Sequence, residues 1–260
     1  MSAAYFVDAH CHLTDQRVAL FASEWIENAL ANQVEKMMIG GLDPADWARQ
    51  AELQKKYPQQ VLTSFGLHPW WVEKFSPAEI ENSMQVLARV VQYASAVGET
   101  GLDFHPNRNS NHYSTQESLF RRHLTLALEH QKPVVLHLVR SHSRALEIVK
   151  EMKAESLQFL LHSFSGSKEV AREWIKRGAI LSFGGGLLKE GSSARLKEVL
   201  ALTPLSQLVF ETDAPDQAWR ADGNNEPCFV REIYTKAAEV LNIPLIDLMQ
   251  IVAENFAIFG

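Results

Sequence analysis

Short apolar runs alternate with longer amphipathic segments along the whole chain, and this alternation limits the fold more than any other feature. The runs fall at residues 5–7, 36–39, 61–66, 95–98, 133–138, 158–161, 179–183 and 208–210. Several are nearly continuous in apolar residues, as strands buried on both faces must be. Helical spacing fills the intervals, at residues 21–31, 44–56, 77–93, 115–131, 143–153, 168–177, 194–201 and 227–241, with 245–256 closing the chain. Ser76-Pro77 and Asp43-Pro44 each set an N-cap oxygen before a proline at the first helical position. Ser114-Thr115-Gln116-Glu117 has the form of a capping box, with Ser114 as N-cap. Eight strands, each followed by a helix and with no linker between them, predict an α/β protein: a (β/α)8 TIM barrel, a single domain over residues 1–260. An open doubly wound sheet competes with it. No Gly-rich dinucleotide fingerprint follows the first run, and Gly184-Gly185-Gly186 follows a late one. The long interval 210–227 predicts a binding loop.

A chain of 260 residues with 46% hydrophobic content buries enough surface to fold without metal or disulfide, so a metal site would be there for chemistry. Its 25 Lys+Arg against 31 Asp+Glu give a net charge of −6. That balance excludes a protein that grips nucleic acid through a global basic field, but not an enzyme that binds phosphate through local cations. Cys11 and Cys228 cannot make a disulfide framework; they read as packing residues of a protein in a reducing compartment. Residues 1–12 lack the basic start and apolar stretch of a signal peptide, and no run approaches the roughly 18 apolar residues of a membrane span. The expected location is cytoplasmic, with no membrane contact and no obligate protein partner.

A barrel of this kind places its chemistry where strands end and loops begin. His10 and His12 follow the first run, with both imidazoles on one side by strand alternation and Cys11 on the other. His68 follows the third run, Glu99 the fourth, His162 the sixth and Asp213 the eighth, while His137 lies at the end of the fifth. Imidazole and carboxylate suit zinc, manganese or magnesium. Each residue alone has a plain structural reading: an isolated His-x-His is a weak signal, and Glu99 or Asp213 would serve equally as a helix N-cap. With His68 set aside, six such residues at the ends of five strands are another matter. Four His, Glu99 and Asp213 are too many for one open catalytic site, and they suffice for two metals sharing one carboxylate. His105, His112, His123, His130 and His142 read as ordinary loop and helix residues.

The segments Val7-Asp8-Ala9-His10-Cys11-His12-Leu13, Gly66-Leu67-His68-Pro69 and Val97-Gly98-Glu99-Thr100-Gly101-Leu102-Asp103 occur in that order. They are followed by Pro133-Val134-Val135-Leu136-His137, Leu161-His162-Ser163-Phe164-Ser165-Gly166, Glu211-Thr212-Asp213-Ala214-Pro215 and Asn225-Glu226-Pro227. With these motifs the chain resembles, over essentially its full length, the TatD family of metal-dependent deoxyribonucleases within the amidohydrolase-like barrels. The broader family usually has Arg two residues after its fifth-strand His. Here Arg140 stands three residues after His137, as in the YjjV-type subgroup, which Ala214-Pro215-Asp216 also resembles.

The resemblance implies that His10, His12, Glu99 and Asp213 hold one divalent ion (Mg, Mn or Zn), and that Glu99 bridges to a second held by His137 and His162. It implies two-metal hydrolysis of a phosphodiester, with DNA as substrate, single-stranded or at frayed ends. Two divalent ions carry more positive charge than Glu99, Asp213 and a hydroxide cancel, so an acidic protein would still present a positive site at contact range. Asp213 is the expected proton acceptor from the attacking water. His68 is a candidate phosphate contact or acid, or else a structural residue packed beside Pro69 and Trp70. Glu211 is a candidate to orient a ligand histidine, and Arg140 a candidate phosphate fork. Trp70, Trp71 and Trp219 either stack on bases or pack loops against the barrel. Two other functions compete: a binuclear amidohydrolase cleaving a C–N or ester bond of a small molecule, and a non-catalytic metal-binding scaffold. Many barrels of the former kind use lysine where this chain has Glu99.

Overall fold

The computed structural model describes residues 4–189 and 193–260, so the first three residues of the N-terminal segment read above lie outside the described residues. Eight strands are present among the described residues: β1 (Phe6–Cys11), β2 (Val34–Ile39), β3 (Val61–Phe65), β4 (Ala96–Asp103), β5 (Val134–Val139), β6 (Phe159–Leu161), β7 (Ile180–Phe183) and β8 (Leu208–Phe210). Each pairs in parallel with the next in sequence order. The helices between them are α1 (Ala22–Ala31), α2 (Pro44–Lys56), α3 (Pro77–Val90), α4 (Tyr113–His130), α5 (His142–Glu151), α6 (Lys168–Ile175) and α7 (Ser193–Leu202). Two more, α8 (Val230–Leu241) and α9 (Leu245–Phe256), follow β8. Past the end of β8 the chain continues to bond to β1. Asp213 N–H donates to His10 O at 2.9 Å and His12 N–H to Ala214 O at 2.6 Å. Buried Asp8 adds a clamp, accepting from Thr212 N–H at 2.9 Å and Thr212 Oγ1 at 2.6 Å. The ring therefore closes into a (β/α)8 barrel rather than opening into a doubly wound sheet.

All strands except parts of β2 and β5 are buried throughout, and the helices bury one stripe each. In α8 that stripe is Val230, Ile233, Tyr234, Ala237 and Ala238, at helical spacing. Tyr234 joins it to the barrel by a reciprocal pair with Val7, accepting from its N–H at 3.1 Å and donating to its carbonyl at 3.2 Å. Burying a side chain of this kind contributes roughly 1.5–3 kcal/mol. Among the described residues no single helix is long and apolar enough to cross a membrane. The segments Pro227–Leu241 and Leu245–Phe259 pass that test only as a pair bent by 110°, and their apolar stripes are buried.

The N-caps expected at Asp43 and Ser76 are present. Asp43 accepts from Ala45 N–H and Asp46 N–H. Ser76 forms a full capping box with Glu79. The box expected at Ser114 is not formed. Helix α4 begins at Tyr113 with no side-chain cap, so Ser114 lies inside the first turn. Glu117 is engaged instead by the Arg144 guanidinium, at 2.9 and 2.6 Å, and a two-pronged charged pair outcompetes one backbone amide. Strands β1 and β4 also run past the apolar runs that announced them. Asp8, His10, Glu99 and Asp103 are strand residues, all buried, because polar side chains in these strands face the interior of the barrel mouth.

Candidate active site

The ligand-type residues meet at the C-terminal rim in two groups that share Glu99. Glu99 Oε2 lies 3.2 Å from His10 Nε2 and 3.6 Å from His12 Nε2, and Asp213 Oδ1 is 3.3 Å from His12 Nε2. Glu99 Oε1 faces the other way, 2.9 Å from His137 Nδ1, 3.1 Å from His162 Nε2 and 3.3 Å from His68 Nε2. Glu99 Oε2 and Asp213 Oδ1 are buried without a hydrogen-bonded partner. Leaving two carboxylate oxygens in that condition is costly unless a cation satisfies them. Ligand atoms about 2.1 Å from a common ion lie about 3.0–3.4 Å apart in tetrahedral or octahedral geometry. The spacings here fit. Overlapping sets, His10–His12–Glu99, His10–His162–Asp213 and His68–Glu99–His137, each bring their ligand atoms within 4.8 Å of one another.

Backbone and neighbouring side chains explain how the ligands are aimed. His10 and His12 share a face of β1 and its continuation, while buried Cys11 turns away with its thiol toward Met38 O at 3.5 Å. The closeness of Gly40 is decisive on this side: a Cβ there would lie 2.5 Å from His10 Cε1 and 2.7 Å from His12 Cε1. Gly101 performs the matching service between β4 and β5. Its φ is +141°, and a Cβ would meet His137 O at 2.1 Å. His162 Nδ1 donates to Glu211 Oε1 at 3.2 Å, and Glu211 also accepts from Ser163 N–H at 2.6 Å and from Ser182 Oγ. Glu211 still bonds across to β7, its N–H donating to Phe183 O at 3.2 Å, and the chain leaves strand geometry at Asp213, whose φ is a left-handed 56°. Asp213 is steadied by Gln217, whose Nε2 donates to Oδ2 at 2.6 Å. Asn225 of the late motif pins the same loop, donating to Thr212 O at 2.8 Å and Asp216 O at 2.6 Å.

Asp103, Gly40 and Gln217 have no role in the sequence reading, yet they border the cluster. Asp103 Oδ2 lies 3.5 Å from His137 Nε2 and accepts from Trp70 Nε1. The only signal for Asp103 is its even spacing from Glu99 along one strand. His123 also contributes at a distance: its Nε2 accepts from Leu67 N–H at 2.9 Å and its Nδ1 donates to Leu119 O at 2.8 Å, fixing the backbone just before His68.

Burial and charge act against each other throughout the cluster. Burial pushes Glu99 up, but the His162, His68 and His10 imidazoles outweigh it and hold the carboxyl well below its usual range. Asp213 is likewise pushed up by burial and drawn down, to about 2, by its contact with His12 and by His162 and His10. Burial lowers His12, yet Asp213 and Glu99 raise it to about 9. His162 is raised well above its ordinary value, Glu99 and Glu211 overcoming burial, and His137 is raised against burial by Asp103 and Glu99. His10 and His68 go the other way, mainly through burial, His68 to about 4. His68 is therefore neutral at physiological pH. Its Nδ1 accepts from Trp70 N–H at 3.1 Å, so its proton resides on Nε2, which faces the cluster.

A cavity of about 540 Å³ opens above the cluster, floored by His12, His68, Glu99, His137, His162 and Asp213. Trp70, Trp71, Lys74, Asp15, Arg17 and Asp216 form its walls. Arg140 is exposed with a left-handed φ of 54°, and it does not line this cavity, although Leu138 and Val139 before it do. Trp219 is not a wall residue either. It lies against Gly185 and donates from Nε1 to Glu232 Oε2 at 2.8 Å, which makes it a loop-packing residue. Cys11 and Cys228 are both buried and free.

An eight-stranded parallel barrel whose rim gathers buried imidazoles and carboxylates into cation-sized groups defines a metal-dependent hydrolase. The chain belongs to the TatD family: the family model described as TatD related DNase matches residues 7–259. It is 30% identical to the metal-dependent hydrolase YabD of Bacillus subtilis (strain 168), over 95% of this chain and 96% of that one. It is also 30% identical to the 3'-5' ssDNA/RNA exonuclease TatD of Erwinia tasmaniensis, covering 89% of this chain and 90% of the relative. The crystal structure of YjjV, a TatD homologue from Escherichia coli, superposes with a TM-score of 0.87 at 26% identity, covering 98% of this chain and 97% of that one.

Proposed function

We propose that this protein hydrolyses phosphodiester bonds of DNA, taken as a single strand or a frayed end, with two divalent ions (Mg, Mn or Zn) held around Glu99. The observation that carries this reading is the division of Glu99: each carboxylate oxygen faces its own set of imidazoles. His10, His12, Asp213 and Glu99 Oε2 would hold one ion; Glu99 Oε1, His137 and His162 would hold the other. When bound, such ions polarise a phosphoryl oxygen and bring the pKa of a coordinated water from 15.7 toward about 7. The nuclease name of relatives such as the Erwinia TatD supports nucleic acid as the substrate class.

The chain's own groups have definite tasks in this reading. Asp213 is ionised across the physiological range, and Gln217 holds its Oδ2 so that Oδ1 faces inward to accept the proton of the attacking water. Neutral His68 presents Nε2–H to the cluster and donates to a phosphoryl oxygen, where charge develops in the transition state. Glu211 orients His162 by accepting its Nδ1–H.

The test is an end-labelled single-stranded oligonucleotide incubated with Mg²⁺, Mn²⁺ or Zn²⁺, with and without chelator. Shortening that needs the metal and is lost in Glu99→Gln and Asp213→Asn is the expected result. Equal cleavage by the variants contradicts it, and inactivity with every metal moves the reading to a C–N or ester bond of a small molecule.

A further inference from the structure

The cavity walls carry two cations in unlike surroundings. Arg17 is already satisfied. It donates to Asp15 from Nε at 2.9 Å and from Nη2 at 3.0 Å, and to Asp216 from Nη1 at 2.8 Å and Nη2 at 2.6 Å. A phosphate approaching Arg17 meets two carboxylates that line the same cavity. Lys74, just after the short helical turn Pro69–Glu73, is exposed and lines the cavity too, and it forms no ion pair among the described residues. The neighbouring acid, Glu73, is directed to Arg108 instead.

Lys74 is nonetheless held in place. Its Nζ sits 4.0 Å from the centroid of the Trp71 ring, and Trp71 stacks on Phe75 with centroids 5.2 Å apart. An aromatic face restrains an ammonium without neutralising it, so the full charge stays available to an anion. The turn begins at His68, whose Nδ1 caps it. At about 2.0 Å per residue, such a turn puts Lys74 up to about 12 Å beyond His68. That ceiling falls within the span of a dinucleotide, and Lys74 lines the same cavity as the cluster from the Trp71 side.

We propose that Lys74 is a specificity-determining residue that binds a phosphate of the nucleic-acid strand other than the one being cleaved. The inference rests on the phosphodiesterase reading above. It makes the enzyme favour a substrate with several phosphates over an isolated phosphodiester, and it assigns that preference to the Trp71 side of the cavity rather than to the Arg17 side.

Lys74→Ala and Lys74→Arg should be compared with wild type on an oligonucleotide and on bis(4-nitrophenyl) phosphate, which carries a single phosphodiester. For Lys74→Ala the expected result is a KM for the oligonucleotide raised about tenfold with kcat nearly unchanged, and the small ester cleaved as by wild type. The salt dependence of kcat/KM on the oligonucleotide should become shallower by about 0.7, the slope of one lost contact to a single strand. Lys74→Arg, which keeps the charge, should recover most of the KM. Unchanged KM and salt slope in Lys74→Ala overturn the inference alone, as does an equal loss on both substrates. A wild type that cleaves neither substrate with any metal overturns the phosphodiesterase reading and the inference with it.

Discussion

The two halves of the ligand cluster are held by different means. His137 and His162 each have a carboxylate behind the ring, Asp103 at 3.5 Å and Glu211 at 3.2 Å. His137 Nε2 makes no hydrogen bond at that distance, but His10 and His12 lack even an ion-pair carboxylate at Nδ1 among the described residues, and their rings are wedged beside Gly40. One half is aimed by charge and the other by packing. The first should therefore be sensitive to changes of charge that leave volume alone, and the second to changes of volume that leave charge alone.

The largest effect is expected from Gly40→Ala, which adds one methyl within 2.5–2.7 Å of both β1 imidazoles and introduces no charge. Activity should fall more than about 100-fold, because a misplacement near 1 Å at a catalytic site costs on that order. Metal analysis should show the loss confined to one ion per chain. Normal activity in this variant would show that packing beside Gly40 does not aim His10 and His12.

On the other side, Glu211→Gln keeps the shape and removes the charge behind His162. Metal affinity should drop about 10- to 100-fold at one of two sites, as read by competition with a chelating dye. Asp103→Asn should do the same more weakly, since its distance to His137 is longer and it is shared with Trp70. Equal weakening of both sites by either variant would remove the distinction between the halves.

Both halves of the cluster carry raised imidazoles. His12 at about 9, with His162 and His137 raised, holds protons that a cation must displace. Apparent metal affinity should therefore rise with pH from 6 toward 9, and calorimetry in buffers of different ionisation enthalpy should register proton release. A flat profile over that range would contradict these protonation states.

The smallest effect concerns the fold beneath His68. Burial lowers His123 from 6.5 to about 4, and its neutral ring accepts the Leu67 N–H. A depressed folded-state pKa means the stabilisation is complete above 6.5 and is lost as pH falls from 6.5 toward 4. The contribution is about 3 kcal/mol at most. Thermal melts of His123→Gln should show a shallower loss of stability over that window than wild type; parallel curves would contradict it.

The barrel was legible because its signal is periodic and repeated. Helices α2 and α9 and strand β8 begin and end where the alternation places them. The candidate ligands stood out in the sequence because each lies at or shortly after the end of an apolar run. What escaped depends on contacts between distant segments. Gly40 matters through the rings of β1, Asp103 through β5, and Lys74 through what does not neutralise it. Strands β1 and β4 were read too short because apolar periodicity stops at the first inward-facing polar residue. Arg140 was drawn toward the site by its nearness in sequence to His137, but a left-handed turn leaves it exposed away from the cavity lining. Glu211, a candidate to orient a histidine, lies at His162 Nδ1, its backbone still bonded to β7.

Anomalous diffraction from crystals grown with Mn²⁺ decides whether Glu99 lies between two ions. Two peaks are expected on opposite sides of the Glu99 carboxylate, one against His10, His12 and Asp213 and the other against His137 and His162. A single peak, or two that do not share Glu99, would contradict that arrangement.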